Sequence, residues 1–79
     1  MTDSYLKRVI QVIINKTGID PEEIGDDSYF EDDLNVGQLE LLEIISALEE
    51  EYSVEFSEDE KENIESVMDL VELIMEKVE

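Results

Sequence analysis

Apolar residues recur along this chain with a helical period. Leu6, Val9, Ile10, Ile13 and Ile14 fall at i, i+3, i+4, i+7 and i+8, the spacing of one buried stripe. The spacing predicts a helix from about Tyr5 to Thr17, with Thr2, Asp3 or Ser4 as its cap and Gly18 as a left-handed terminator. The β-branched residues here would also suit a strand, but the helical spacing fits better. A second helix is expected from about Gln38 to Tyr52, with Leu41, Ile44, Ile45, Leu48 and Tyr52 on its core face. Leu39 and Leu42 lie off that face, among acidic residues. Two capping boxes then open two more helices. Ser57-Glu58-Asp59-Glu60 starts a short one ending near Asn63, and Ser66-Val67-Met68-Asp69 starts a last one reaching about Val78. The last helix carries the stripe Val67, Leu70, Val71, Ile74 and Val78.

Between the first two helices lies a long connection, residues 18–37. Asp20-Pro21-Glu22-Glu23 suits a single helical turn, with Asp20 as cap and Pro21 at the first helical position. A loop this long in so small a domain needs either a function or its own packing. Ile24 offers an apolar anchor, and Tyr29, Phe30 and Leu34 are expected to pin the loop to the core. The expected architecture is all-α: one domain over residues 1–79, a four-helix bundle of three longer helices and one short one. There is no internal repeat and no low-complexity linker.

Charge narrows the partners. Twenty-four acidic residues face five basic ones, a net charge of −19. From Thr17 to Glu60 there are 17 acids and no base. Nucleic acid and anionic membranes need a basic patch and are not expected. A basic protein surface is the natural complement. No cysteine is present, so a disulfide, thiolate metal site or thiol nucleophile is excluded. No apolar run suits a membrane span and the N-terminus lacks a signal-peptide pattern, so a cytoplasmic protein is expected. A monomer is expected as well. No enzyme is expected either. The chain has no histidine and no glycine-rich phosphate loop, and acids on a solvated face lack the apolar setting that tunes a general acid.

The run Phe30-Glu31-Asp32-Asp33-Leu34-Asn35-Val36-Gly37-Gln38-Leu39 resembles the signature F-x-x-D-L-G-x-D-S-L of the acyl and peptidyl carrier proteins. Phe30, Asp33, Leu34 and Leu39 match without a gap. Leu48-Glu49-Glu50-Glu51-Tyr52-Ser53-Val54-Glu55-Phe56 resembles the family's L-E-E-x-F-x-I-x-I segment, and Val67-Met68-Asp69-Leu70-Val71 its last-helix start. Asp20-Pro21-Glu22-Glu23-Ile24 is similar to its first-loop segment, so the resemblance spans essentially the whole chain. It implies an acyl-carrier-protein-like bundle.

The match breaks where the family's chemistry sits. Asn35 stands for the usual glycine, Gly37 for the aspartate and Gln38 for the serine that receives 4′-phosphopantetheine. An amide nitrogen, its lone pair delocalised into the carbonyl, does not replace that hydroxyl as nucleophile. No cofactor is therefore expected at Gln38. Gly37 can still cap the helix, at a cost of a few tenths of a kcal/mol. Ser46 lies two turns further on, Ser57 and Ser66 read as caps, and Ser28 and Ser53 lack the D-S-L context.

The resemblance also implies a docking face for basic partner proteins, such as a synthase or acyl-handling enzyme, on the second helix. Transferred by position, Glu40, Leu42, Glu43, Ser46, Glu49 and Glu50 form it, with Leu39 at its edge. A merely solvated face would have the same composition. Two other readings stay open: a true carrier with an altered attachment site, and an acidic structural or cation-associating protein. The acid run Asp26, Asp27, Glu31, Asp32 and Asp33 does not match a calcium loop, which needs a central glycine and a terminal bidentate glutamate. No metal site is expected.

Overall fold

The computed structural model describes residues 2–79. Four α-helices follow in order: α1 Thr2–Thr17, α2 Gln38–Tyr52, α3 Glu58–Glu62 and α4 Val67–Val78, with a 3-10 turn at Pro21–Glu23 inside the first connection. Among the described residues there is no strand, only an isolated bridge between Tyr29 and Ser66. The helical bundle expected from the periodicity is the fold observed.

α1 packs against both α2 and α4. The core forms where the three longer helices meet: Val9 and Ile13 from α1, Ile44, Ile45 and Leu48 from α2, and Val67, Leu70, Val71 and Ile74 from α4. Each such side chain contributes roughly 1.5–3 kcal/mol by leaving water, which is what holds so small a domain together. At one end of the bundle the Tyr5 and Tyr52 rings lie 5.7 Å apart, centroid to centroid. The Tyr5 hydroxyl donates to the Glu79 carboxylate at 3.0 Å, which links the start of α1 to the end of the chain. That acceptor, together with the negative charge beside it, holds the Tyr5 pKa above its ordinary value.

Several expected positions shift. α1 begins at Thr2, so Asp3 and Ser4 lie in its first turn and are not caps; the capping position itself falls outside the described residues. The buried arc of α1 runs through Val9, Val12 and Ile13, and Leu6, Ile10 and Ile14 are only half-buried. The periodicity defines a stripe but not which side of it the neighbours cover, and here α2 and α4 cover the Val12 side. Leu41 and Tyr52 are half-buried, and Val78 is exposed where α4 runs past its neighbours. Gly18 has φ +76, the left-handed terminator that was expected.

The long connection is packed by its own side chains. Ile24, Phe30, Leu34 and Val36 are buried. Two backbone hydrogen bonds tie the loop to the α3–α4 junction: Phe30 N–H to Glu65 C=O (3.0 Å) and Val67 N–H to Ser28 C=O (2.9 Å). Tyr29 does not pin the loop through its ring, which is 49% exposed. The antiparallel bridge alternates side chains, so Phe30 turns inward and Tyr29 outward.

Candidate functional site

The start of α2 is set by the loop before it. Asp33 closes a turn on Tyr29: its carboxylate accepts the Tyr29 N–H at 2.8 Å, and its own N–H donates to Tyr29 C=O at 3.0 Å. Asn35 then adopts φ 59, a left-handed backbone that asparagine tolerates better than most side chains. This turns Val36 back onto the core, where its N–H donates to Phe30 C=O at 2.7 Å and its side chain is buried. Gly37 is the N-cap, with extended φ −75 and ψ 171. Lacking a side chain, it makes half a capping box: the Glu40 carboxylate accepts the Gly37 N–H at 3.4 Å, with no hydroxyl to reciprocate. Gln38, exposed, is the first residue of α2. Phe30, Asp33, Asn35 and Val36 thus act together to present position 38 to solvent.

α2 turns Leu39, Glu40, Leu42, Glu43, Ser46 and Glu50 to solvent. Leu39 is 80% exposed and Leu42 41%. Glu49 behaves differently. It is partly buried, and its carboxylate accepts the Phe56 N–H at 2.8 Å. Sequence reasoning placed it with the other acids because the bond spans seven residues and depends on how the chain turns after α2. Glu51, beyond the face, pairs with Arg8 at 3.6 Å on an exposed surface, a contact of little energetic weight.

Beside Gln38 a cleft of about 480 Å³ opens between the loop, α2 and α3. Phe30, Val36, Leu41 and Ile64 are the apolar members of its lining, all but Leu41 nearly fully buried. Glu31, Asp32, Glu62, Glu65 and Lys61 line it with charge. Periodicity did not reveal this cleft, since its walls come from four separate segments: the loop, α2, α3 and the α3–α4 junction. Three of the six serine hydroxyls are engaged: Ser28 Oγ accepts the Gly25 N–H (2.9 Å), Ser57 Oγ the Glu60 N–H (3.2 Å) and Ser66 Oγ the Asp69 N–H (3.2 Å). Ser28 and Ser66 are also buried, and Ser57 and Ser66 cap α3 and α4 as expected. Ser46 and Ser53 are exposed. Among the described residues no group of acids converges to hold a metal ion, and no helix is long and apolar enough to cross a membrane.

Comparison with known proteins covers nearly the same span as the fold. A family model described as "Phosphopantetheine attachment site" matches residues 7–74. An acyl carrier protein of Solidesulfovibrio magneticus is 36% identical over 74 residues, 94% of this chain and 95% of that protein. One from Chlamydia trachomatis is 39% identical over 66 residues, 84% of this chain and 86% of that protein.

Proposed function

Because the chain belongs to the acyl carrier protein family, whose members are carriers and not enzymes, we propose that it is a carrier-like binding module that has lost covalent loading at position 38. The 79 residues then form one such domain. The observation that carries the reading is Gln38 itself, exposed at the first position of α2, after a loop anchored by the buried Ile24, Phe30, Leu34 and Val36. The site is presented, but the side chain there has no nucleophilic hydroxyl to take 4′-phosphopantetheine from coenzyme A. What remains usable is the face of α2. Leu39, Leu42, Glu43, Ser46 and Glu50, with Glu40 at the first turn, offer a basic partner both charge and apolar area. Enzymes of fatty acid or related synthesis are the proposed partner class, and the domain docks on them as a monomer.

Intact mass tests the first half. Wild type incubated with coenzyme A and a broad-specificity phosphopantetheinyl transferase is expected to keep its mass. Gly37→Asp/Gln38→Ser is expected to gain one phosphopantetheine. A Cβ at Gly37 meets nothing within 4 Å, so this variant fits the existing backbone. Loading of the wild type would overturn the reading and favour a second one, a working carrier attached elsewhere. The exposed Ser46 and Ser53 are the first places to look, and the family match over residues 7–74 is what keeps that reading open. Docking is tested by reversing Glu43 and Glu50 to lysine, which should strip the proteins recovered by a wild-type bait. Glu49 is left out because its carboxylate is committed to Phe56.

A further inference from the structure

At the end of the bundle away from the long loop's bridge, two tyrosines meet. Tyr5 lies near the start of α1, and Tyr52 is the last residue of α2. Their ring centroids are 5.7 Å apart and their planes are tilted by 45°, a direct ring–ring contact. Both side chains are half-buried, backed by the core but within reach of a small solute. The Arg8–Glu51 ion pair joins the same two helices alongside. The Tyr5 hydroxyl donates to the carboxylate of Glu79, the C-cap of α4, at 3.0 Å. One phenol of the pair therefore has a proton acceptor already in place. A phenol gives up an electron more readily when its proton can leave at the same moment. The chain has no cysteine and no tryptophan, so no thiol or indole competes for an oxidising equivalent. The third tyrosine, Tyr29, is 49% exposed and has no ring beside it among the described residues.

We propose that Tyr5 and Tyr52 form an oxidative crosslinking site, at which a one-electron oxidant joins the start of α1 to the end of α2 as dityrosine. The oxidant, of the class of haem peroxidase intermediates or photogenerated metal complexes, takes one electron from each ring. The phenolic proton of Tyr5 passes to Glu79 and that of Tyr52 to water. The two phenoxyl radicals then pair their unpaired electrons in one carbon–carbon bond between positions ortho to the hydroxyls. Each coupled carbon returns its hydrogen to the neighbouring oxygen as the rings become aromatic again. The net loss is two electrons and two protons. The new bond closes more than half of the chain into a loop and so restricts the unfolded state, as a disulfide does in chains that have cysteine.

The test exposes dilute wild type to photogenerated ruthenium(III) tris-bipyridyl, with persulfate as the terminal electron acceptor, and reads intact mass, dityrosine fluorescence and peptide maps. The expected product is a monomer lighter by two hydrogens, in which the peptides holding Tyr5 and Tyr52 are joined, and its urea midpoint should lie above that of the open chain. Tyr5→Phe and Tyr52→Phe should each abolish it, and Tyr29→Phe should form it as wild type does. Glu79→Gln keeps an acceptor oxygen but is a far weaker base, and should slow the reaction; a rate equal to wild type would overturn Glu79 as the proton acceptor. A monomer mass that does not change, a crosslink that survives Tyr52→Phe, an equal yield in denaturing urea, or joining of two chains through Tyr29 with Tyr5 and Tyr52 intact would each overturn the proposal. None of these readouts involves Gln38 or the α2 face, so the crosslink stands or falls independently of the loading and docking tests.

Discussion

Asn35 and Ser53 are the two non-glycine residues with left-handed backbones among the described residues, at φ 59 and φ 57. They sit at opposite ends of the same device: Asn35 leads into α2 and Ser53 ends it, its N–H donating to Glu49 C=O. Asparagine suits this conformation better than serine. Ser53→Gly is therefore expected to stabilise the fold by about 0.5 kcal/mol, the relief of strain less the extra entropy of an unfolded glycine, as read from the urea midpoint. A lower midpoint would mean that the Ser53 side chain contributes something the backbone argument misses. Glu49 is the other residue whose role is local. Glu49→Gln keeps an acceptor for the Phe56 N–H, whereas Glu49→Lys removes it. The lysine variant should lose about 1 kcal/mol and exchange its Phe56 amide faster, while the glutamine variant stays near wild type. Equal losses in the two would assign the effect to charge and not to the hydrogen bond.

At the scale of the element, α3 is the instructive case. Its five residues cannot hold a helix alone, since nucleation costs more than so few bonds return. It persists because its ends are tied. Ser57 Oγ accepts the Glu60 N–H at 3.2 Å, while the Glu60 carboxylate accepts the Ser57 N–H at 2.7 Å and pairs with Lys77 of α4 at 3.0 Å. The Ser57 N–H first and the Lys77 ammonium second hold the Glu60 pKa below the ordinary glutamate value. A depressed folded pKa means that the unfolded chain binds more protons through this window. The contribution is therefore present above the unfolded pKa, near 4.3, and is lost as pH falls through the folded one. The stability gap between wild type and Glu60→Gln should stay constant above about pH 5 and close as acid is added below it. A gap that widened in acid would contradict this assignment. α4 lies at the other extreme. Ile74 is fully buried, and Ile74→Ala should cost about 2–5 kcal/mol, a large share of the stability of a domain this size, read as a drop in the urea midpoint.

For the molecule as a whole, charge density governs behaviour. A net charge of −19 is spread over a body with principal extents of 28 × 26 × 19 Å. At about 10 mM salt the screening length is roughly 30 Å, so every carboxylate repels every other; at 0.15 M it is roughly 8 Å, and only neighbours matter. The melting temperature should therefore climb by several degrees between these conditions, and magnesium should act at lower concentration than sodium. A melting temperature indifferent to salt would show that the acids are already locally compensated. The same density bears on docking: association through α2 should slow steeply with ionic strength, as steered encounters do.

Much of this was legible along the chain. The periodicity of α2 and α4, the two serine caps and the glycine after α1 determined the helices and their order, because each signal lies within a turn or two of the residue it concerns. The signature around Phe30 and the substitution at Gln38 located the candidate site for the same reason. Tertiary packing decided the rest. It chose the Val12 side of α1, because only the positions of α2 and α4 say which half of an apolar stripe is covered. It turned Tyr29 outward and Phe30 inward, through a bridge to residues far along the chain. It committed Glu49 to Phe56, and it assembled the cleft beside Gln38 from four separate segments. In the sequence Lys61 is a lone base among acids; its place on that rim depends on distances that no local pattern encodes.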